Sequence, residues 1–100
     1  MTANIGALPV ISMRPTQCFS VIAVTDPSSL PRTLEIFAKL TLVPVQCHVS
    51  QVGVTGGELH IDLQFADMDS CTADHLARAL RSIYLVKSVL TSEKRHRLTA

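Results

Sequence analysis

Four segments of the chain carry the hydrophobic pattern of β-strands. Residues 17–25 (QCFSVIAVT) are apolar and rich in β-branched side chains, which predicts a central strand buried on at least one face. Residues 45–52 (VQCHVSQV) alternate apolar and polar positions, which predicts a half-exposed strand at a sheet edge. Residues 58–67 (ELHIDLQFAD) alternate without a break, and GVTGG before them predicts a hairpin connection. Residues 84–91 (YLVKSVLT) form the last predicted strand.

Two further segments repeat apolar residues at the spacing of one helical face. The first follows the N-cap candidates Asp26, Ser28 and Ser29, and we expect this helix to end near Pro44. Its predicted apolar face comprises Leu30, Leu34, Phe37 and Ala38. The second helix follows the segment DMDSCT, which supplies further cap residues. Its predicted apolar face comprises Ala73, Leu76, Ala79, Leu80 and Ile83.

The order of these elements, β-α-β-β-α-β, predicts the fold. Two helices for four strands cover one face of a sheet, and right-handed crossovers then give a ferredoxin-like sandwich. We therefore predict an α+β fold in which an antiparallel four-stranded sheet carries both helices on one face. Residues 1–16 have no clear period and are interpreted as a flexible leader. Residues 17–91 form the predicted domain, and residues 92–100 form a polar tail.

Composition restricts the class of protein. One hundred residues make one domain, and 47% hydrophobic residues with only 4% aromatic ones predict an aliphatic core. The net charge of +1 argues against a general nucleic-acid binder, and it gives no reason to expect an acidic membrane as partner. Since no stretch resembles a signal peptide or reaches membrane-spanning length, we expect a cytoplasmic protein.

The ionisable and nucleophilic residues follow no pattern typical of a catalytic or metal site. Cys18, Cys47 and Cys71 are scattered without a C-x-x-C pair, and we expect them to be reduced and buried in the core. His48 and His60 lie on the polar faces of predicted strands, where we expect them to be solvated. The loop serines have no evident base nearby in sequence. We therefore predict no catalytic residue, no metal site and no cofactor.

Three protein families that share this fold have chemistry that the sequence lacks. RNA-recognition motifs need stacking aromatic residues on the third strand, whose outward face here is His60, Asp62 and Gln64. Metal-transfer domains carry C-x-x-C in the first strand–helix loop, whereas this loop has the sequence DPSS. Acylphosphatases place an anion-binding arginine in that loop, whereas Arg32 already lies in the predicted helix.

A fourth family matches better. The segment VIAVTDPSSLPRTLEIFAKL, residues 21–40, resembles the opening of an ACT domain, the amino-acid-sensing module of metabolic enzymes. The resemblance rests on Asp26, Pro27, Leu30, Arg32, Leu34, Ile36, Phe37 and Ala38. It extends from about Gln17 to Leu90. Within the family, the chain looks most like the short type of acetolactate synthase small regulatory subunit.

The resemblance implies a regulatory protein rather than an enzyme. Such a protein would sense an amino acid, branched-chain by the likeness to acetolactate synthase, and modulate a catalytic partner subunit. The helix start would accept the ligand's carboxylate, Asp26 would favour its ammonium, and aliphatic side chains would line the pocket. The expected ligand-binding residues are Asp26, Pro27, Ser28, Ser29, Leu30, Val43 and Val45, with the two valines supplied by a paired subunit.

Two departures from the family pattern leave a second interpretation open. The usual glycine of the first strand–helix loop is replaced by Ser28 or Ser29. The usual Gly-x-Asn before the second strand is replaced by residues 41–43 (TLV). The alternative function is therefore a non-catalytic dimerisation module with a degenerate ligand site, in which Asp26 and the serines only cap the helix.

Both interpretations include a homodimer. The strand at residues 45–52 is predicted at a sheet edge, and an uncovered edge invites pairing with another strand. We expect two copies of this strand to pair side by side. Ile36 and Leu40 lie off the main apolar face of the first helix, and they are expected to be buried at the same interface.

Overall fold

The computed structural model describes residues 15–94, which form one antiparallel sheet and two helices. The elements in chain order are β1 (Thr16–Val24), α1 (Ser29–Ala38), β2 (Gln46–Val52), β3 (Glu58–Phe65), α2 (Ser70–Arg81) and β4 (Val86–Lys94). The strand order in the sheet is β2-β3-β1-β4. This arrangement confirms the predicted ferredoxin-like fold. Residues 1–14 of the predicted leader and residues 95–100 of the predicted tail lie outside the described residues.

The core lies between the sheet and the two helices, and it is more aromatic than expected. Antiparallel pairing sets Phe19 opposite Leu63 on the inner face of the sheet. The ring centroids of Phe19 and Phe37 are 5.2 Å apart in an edge-to-face contact, and those of Phe37 and Phe65 are 4.3 Å apart in a stacked one. All three phenylalanines of the chain are buried here. The expectation of an aliphatic core is therefore wrong at its centre.

Helix α1 presents a different face to the core from the one predicted. Its buried residues are Ser29, Thr33 and Phe37, which follow one another at intervals of four. Leu30 and Leu34 are only half-buried against the core, and Ala38 is exposed. The small side chains of Ser29 and Thr33 let the helix lie close to its neighbours, so the larger leucines lie at the margin of the contact.

Helix α1 also ends earlier than predicted, well before Pro44. Thr41 adopts a left-handed conformation with φ of 58°, and the Leu42 N–H donates to the Phe37 carbonyl at 3.0 Å. This bond turns the chain back across the helix end and satisfies a carbonyl that the helix leaves free. The backbone turn, rather than the proline, terminates the helix at Ala38.

Helix α2 begins at the predicted cap. The Asp69 carboxylate accepts a hydrogen bond from the Thr72 N–H at 2.8 Å. Its buried residues are Ala73, Leu76, Ala77 and Leu80, so the predicted face missed Ala77. Ala79 is only half-buried, and Ile83 lies beyond the helix but still packs on the core.

Strand β4 starts later and runs further than predicted, into the segment interpreted as a tail. The buried Gln17 amide donates to the Met68 carbonyl at 3.1 Å and to Glu93 Oε1 at 3.0 Å. The bond to Glu93, together with pairing to β1, holds β4 in the sheet as far as Lys94. The polar composition of residues 92–94 reflects an exposed edge strand.

The prediction that the cysteines are buried is wrong. Cys47 on β2 and Cys71 on α2 are exposed, and Cys18 is half-buried on the sheet face that the helices leave open. The three are free thiols. No helix within residues 15–94 combines the length and the hydrophobicity that crossing a bilayer requires.

Candidate functional site

The turn between β1 and α1 is organised around the Asp26 carboxylate. Ser28 donates two hydrogen bonds to Asp26 Oδ1, from its backbone N–H at 2.9 Å and from its hydroxyl at 2.7 Å. These donors, the backbone N–H foremost, lower the pKa of the Asp26 carboxyl below its ordinary value because they stabilise the ionised form. Asp26 therefore presents a negative charge at neutral pH just before α1.

The two serines of the turn have different roles. Ser28 occupies the N-cap position in a helical conformation, and its side chain makes no capping bond to the helix. Ser29 is fully buried, and its hydroxyl donates to the Val24 carbonyl at 2.6 Å. Of the three predicted cap residues, Asp26 is the one that accepts the hydrogen bonds of the turn. Its carboxylate accepts from Ser28, and its backbone carbonyl accepts from the Ser29 N–H at 3.0 Å.

Within one chain the predicted site residues fall into two separate groups. Residues 26–30 lie together at the end of β1 and the start of α1. Val45 lies at the opposite end of the sheet, where its N–H donates to the Gln64 carbonyl at 2.7 Å and Gln64 in turn pairs with Cys18 near the start of β1. Six strand residues, roughly 20 Å, separate the two ends. The hypothesis that a paired subunit brings its valines to the turn stays a prediction.

The turn instead borders a surface cleft formed by its own chain. The cleft has a volume of about 290 Å³ and is lined by Asp26, Ser28, Arg32, Ile83, Tyr84 and Leu85. The last three belong to the connection between α2 and β4, which the Val24 N–H holds beside β1 by donating to the Leu85 carbonyl at 2.9 Å. Tyr84 leaves 95% of its surface exposed at the rim.

The second wall of this cleft lies outside the residues that the sequence predicts for the site. The sequence pattern predicts Tyr84 and Leu85 in the last strand, but that strand begins at Val86. The only local signal is an aromatic residue at the start of the segment that is predicted as the last strand. The fold brings this connection to the Asp26 turn because β4 and β1 are neighbours in the sheet.

The sheet face without helices carries a separate group of polar residues. His48 pairs across the strands with Asp62 and is exposed, as predicted. His60 is half-buried, and its Nε2 lies 3.5 Å from Glu58 Oε1. The Lys87 ammonium, 3.3 Å from Glu58 Oε2, contributes most to lowering the pKa of the Glu58 carboxyl, and His60 adds to that effect. Within residues 15–94, no three histidine, cysteine or acidic side chains are arranged to hold a metal ion.

Comparison with known proteins agrees with this architecture. The family described as "ACT-like domain" matches residues 13–98. The crystal structure of the ACT domain from the GTP pyrophosphokinase of Chlorobium tepidum is similar over 77% of this chain and 96% of that one, with a TM-score of 0.64 and 10% identity. The solution structure of the C-terminal domain of the MgtC protein from Mycobacterium tuberculosis is similar over 87% and 95%, with a TM-score of 0.63 and 10% identity. No curated protein sequence matches the chain.

Proposed function

Because this chain belongs to the ACT-like domain family, we propose that it is a regulatory module that binds an amino acid and modulates a partner metabolic enzyme. Members of this family commonly act as regulatory, ligand-binding domains. The proposal assigns no catalytic step to the chain itself. Its effect on the partner would come from a difference in ligand affinity between two states of the assembly.

The observation that supports ligand binding is the ionised Asp26 carboxylate at the border of a cleft. Ser28 engages Oδ1 of this carboxylate, which leaves Oδ2 for a ligand ammonium. The α2–β4 connection supplies an aliphatic wall through Ile83 and Leu85. Such a wall favours an aliphatic side chain over a charged one. The proposed ligand is therefore a branched-chain amino acid, and the likeness to the acetolactate synthase small subunit suggests that enzyme as the partner.

Thermal unfolding of the full chain in the presence of each of the twenty amino acids tests the proposal. A ligand at about tenfold its Kd stabilises the native state by about 1.4 kcal/mol. For a domain of this size, that free energy raises Tm by roughly 6–11 °C. We expect valine, leucine or isoleucine to give such a rise, and glutamate and lysine to give none. An unchanged Tm with all twenty would contradict amino-acid sensing.

A second candidate function, assembly without a ligand, is favoured by the exposed apolar residues next to β2. Leu40, Val43 and Val45 expose 51%, 80% and 62% of their surfaces. An apolar cluster beside an unpaired edge strand is typical of an association surface. In this case two copies of the chain would pair through β2, and the Asp26 turn would serve only to start α1. The two functions are compatible, since a regulatory dimer could use both surfaces.

A further inference from the structure

The start of α1 offers a ligand carboxylate few donors, because the N–H groups of Ser28 and Ser29 are already engaged. The Ser28 N–H donates to Asp26 Oδ1 at 2.9 Å, and the Ser29 N–H donates to the Asp26 carbonyl at 3.0 Å. Pro31 has no N–H. The adjacent Asp26 charge also repels an anion. A carboxylate bound in this cleft therefore needs another partner.

Arg32 provides that partner. It is exposed, lines the same cleft as Asp26, and within residues 15–94 its guanidinium makes no hydrogen bond or ion pair. The two opposite charges thus border one cavity without neutralising each other. A guanidinium matches a carboxylate through two parallel hydrogen bonds, and a carboxylate matches an ammonium. The cleft therefore offers separate positions for the two charged groups of a zwitterion.

The α2–β4 connection completes the cleft with an apolar surface. Ile83 and Leu85 are half-buried, and each is held by a backbone hydrogen bond: the Ile83 N–H donates to the Leu80 carbonyl at 3.1 Å, and the Leu85 carbonyl accepts from Val24. The exposed Tyr84 ring lies between them in sequence. The cleft volume of about 290 Å³ is just below the lower limit of roughly 300 Å³ for small-molecule sites, which restricts the site to a small ligand.

We infer that Arg32, Asp26 and the α2–β4 connection of a single chain form a complete site for a small zwitterion with an apolar side chain. In this site Arg32 binds the ligand's carboxylate and Asp26 binds its ammonium. The ligand's side chain contacts Ile83 and Leu85. The inference rests on the proposed function and makes it more specific: the site requires neither the free N–H groups of α1 nor Val43 and Val45 of a second subunit.

The sequence contains an intrinsic probe of this cleft. Tyr84 is the only tyrosine of the chain, and there is no tryptophan. Tyrosine fluorescence of the full chain therefore reports on the cleft alone. We expect titration with L-leucine to change the Tyr84 emission, with the same Kd that calorimetry gives for the binding heat. Binding heat from leucine without any change in tyrosine emission would place the ligand elsewhere and overturn the inference.

The Arg32→Gln variant tests the carboxylate partner, and Arg78→Gln is its matched control. Arg78 is also an exposed helical arginine, but it does not line the cleft. We expect Arg32→Gln to weaken L-leucine binding roughly tenfold or more, because a charge-assisted pair is lost. Arg78→Gln should bind L-leucine as the wild type does. Equal affinities of the wild type and both variants would overturn the role of Arg32 and leave the proposed function intact.

Analogues that lack one charge separate the two ends of the site. L-Leucinamide retains the ammonium and loses the carboxylate, so it should bind wild type and Arg32→Gln with the same reduced affinity. If Arg32→Gln weakens L-leucinamide as much as L-leucine, Arg32 does not contact the carboxylate and the inference fails. Absence of heat and of emission change with valine, leucine and isoleucine at millimolar concentration would overturn both the inference and amino-acid sensing. Binding with the expected Arg32 dependence but no effect on a partner enzyme would overturn the regulatory role alone.

Discussion

At the scale of single residues, Asp26 has one observed role, in the turn before α1, and one proposed role, as the partner of a ligand ammonium. Its Oδ1 holds the turn by accepting both Ser28 donors, and the residue also borders the cleft. The proposed ligand-binding role would use Oδ2, the carboxylate oxygen that Ser28 leaves free, so it is compatible with the role in the turn. The lowered pKa of Asp26 follows from the first role, and it keeps the charge that the second role needs.

We predict that Asp26→Asn is less stable than the wild type at neutral pH and that this difference disappears in acid. Asparagine retains an oxygen acceptor for Ser28 but has no charge. Because folding lowers the pKa of Asp26, its ionisation stabilises the native state above the unfolded-state pKa of about 3.9. That contribution is lost as the pH falls through the folded-state pKa. Urea unfolding from pH 7 to pH 2 measures the effect.

Asp74→Asn is the control for this prediction, since Asp74 is an exposed residue on α2 away from the turn. It should leave the pH dependence of the unfolding free energy close to that of the wild type. A constant difference between the wild type and Asp26→Asn at every pH would show that the Asp26 charge contributes nothing to stability. The loss would then come from altered turn geometry alone.

At the scale of the elements, the end of α1 carries backbone strain. Thr41 has a φ of 58°, a left-handed conformation that is costly for a β-branched residue. The family's usual glycine before the second strand is replaced in the segment of residues 41–43. The observed φ gives a physical reason for a glycine in this segment: the helix must end in a turn that an L side chain adopts only at a cost.

We therefore predict that Thr41→Gly stabilises the domain by about 1 kcal/mol, because relief of the strained φ exceeds the entropy that glycine adds to the unfolded chain. Thr41→Ala is the control, since alanine removes the β-branch but retains a Cβ. Its gain should be smaller than that of glycine. Chemical denaturation of the three proteins measures the differences, and a loss of stability in Thr41→Gly would contradict the prediction.

At the scale of the whole molecule, the two edges of the sheet differ in their protection against pairing. Edge strand β4 carries Lys87, Glu93 and Lys94, and its Val89 carbonyl accepts a hydrogen bond from Arg81 at 2.8 Å. Edge strand β2 (QCHVSQV) contains no acidic residue, lysine or arginine. Natural edge strands use charges to prevent association. The proposed homodimer is therefore assigned to β2 rather than to β4.

We predict that Cys47→Lys dissociates the proposed homodimer, because it places a charge on the β2 edge, which otherwise has no acidic residue, lysine or arginine. Ser92→Lys places the same charge on the other edge strand, at a position that is also exposed, and should leave the dimer intact. Sedimentation velocity at micromolar concentration distinguishes the two. A monomeric wild type, or dissociation caused by Ser92→Lys alone, would contradict assembly through β2.

The sequence by itself determined the order of the elements, the hairpin, the edge position of β2 and the cap of α2. Each of these depends on residues close together in the chain, such as the alternation in β3 or the Asp69–Thr72 bond. The same applies to the cluster formed by residues 26–30, which follows directly from the strand–turn–helix pattern. For these features the local hydrophobic period and the cap chemistry carry the information.

The tertiary structure alone decided which face of α1 is buried and what lies opposite Asp26. The face containing Ser29 and Thr33 packs inward because small side chains permit close approach, a property that hydrophobic spacing does not measure. Tyr84 reaches the Asp26 turn because β4 pairs with β1, and that pairing joins segments from opposite ends of the chain. A site built across strands depends on their order in space, which no local pattern encodes.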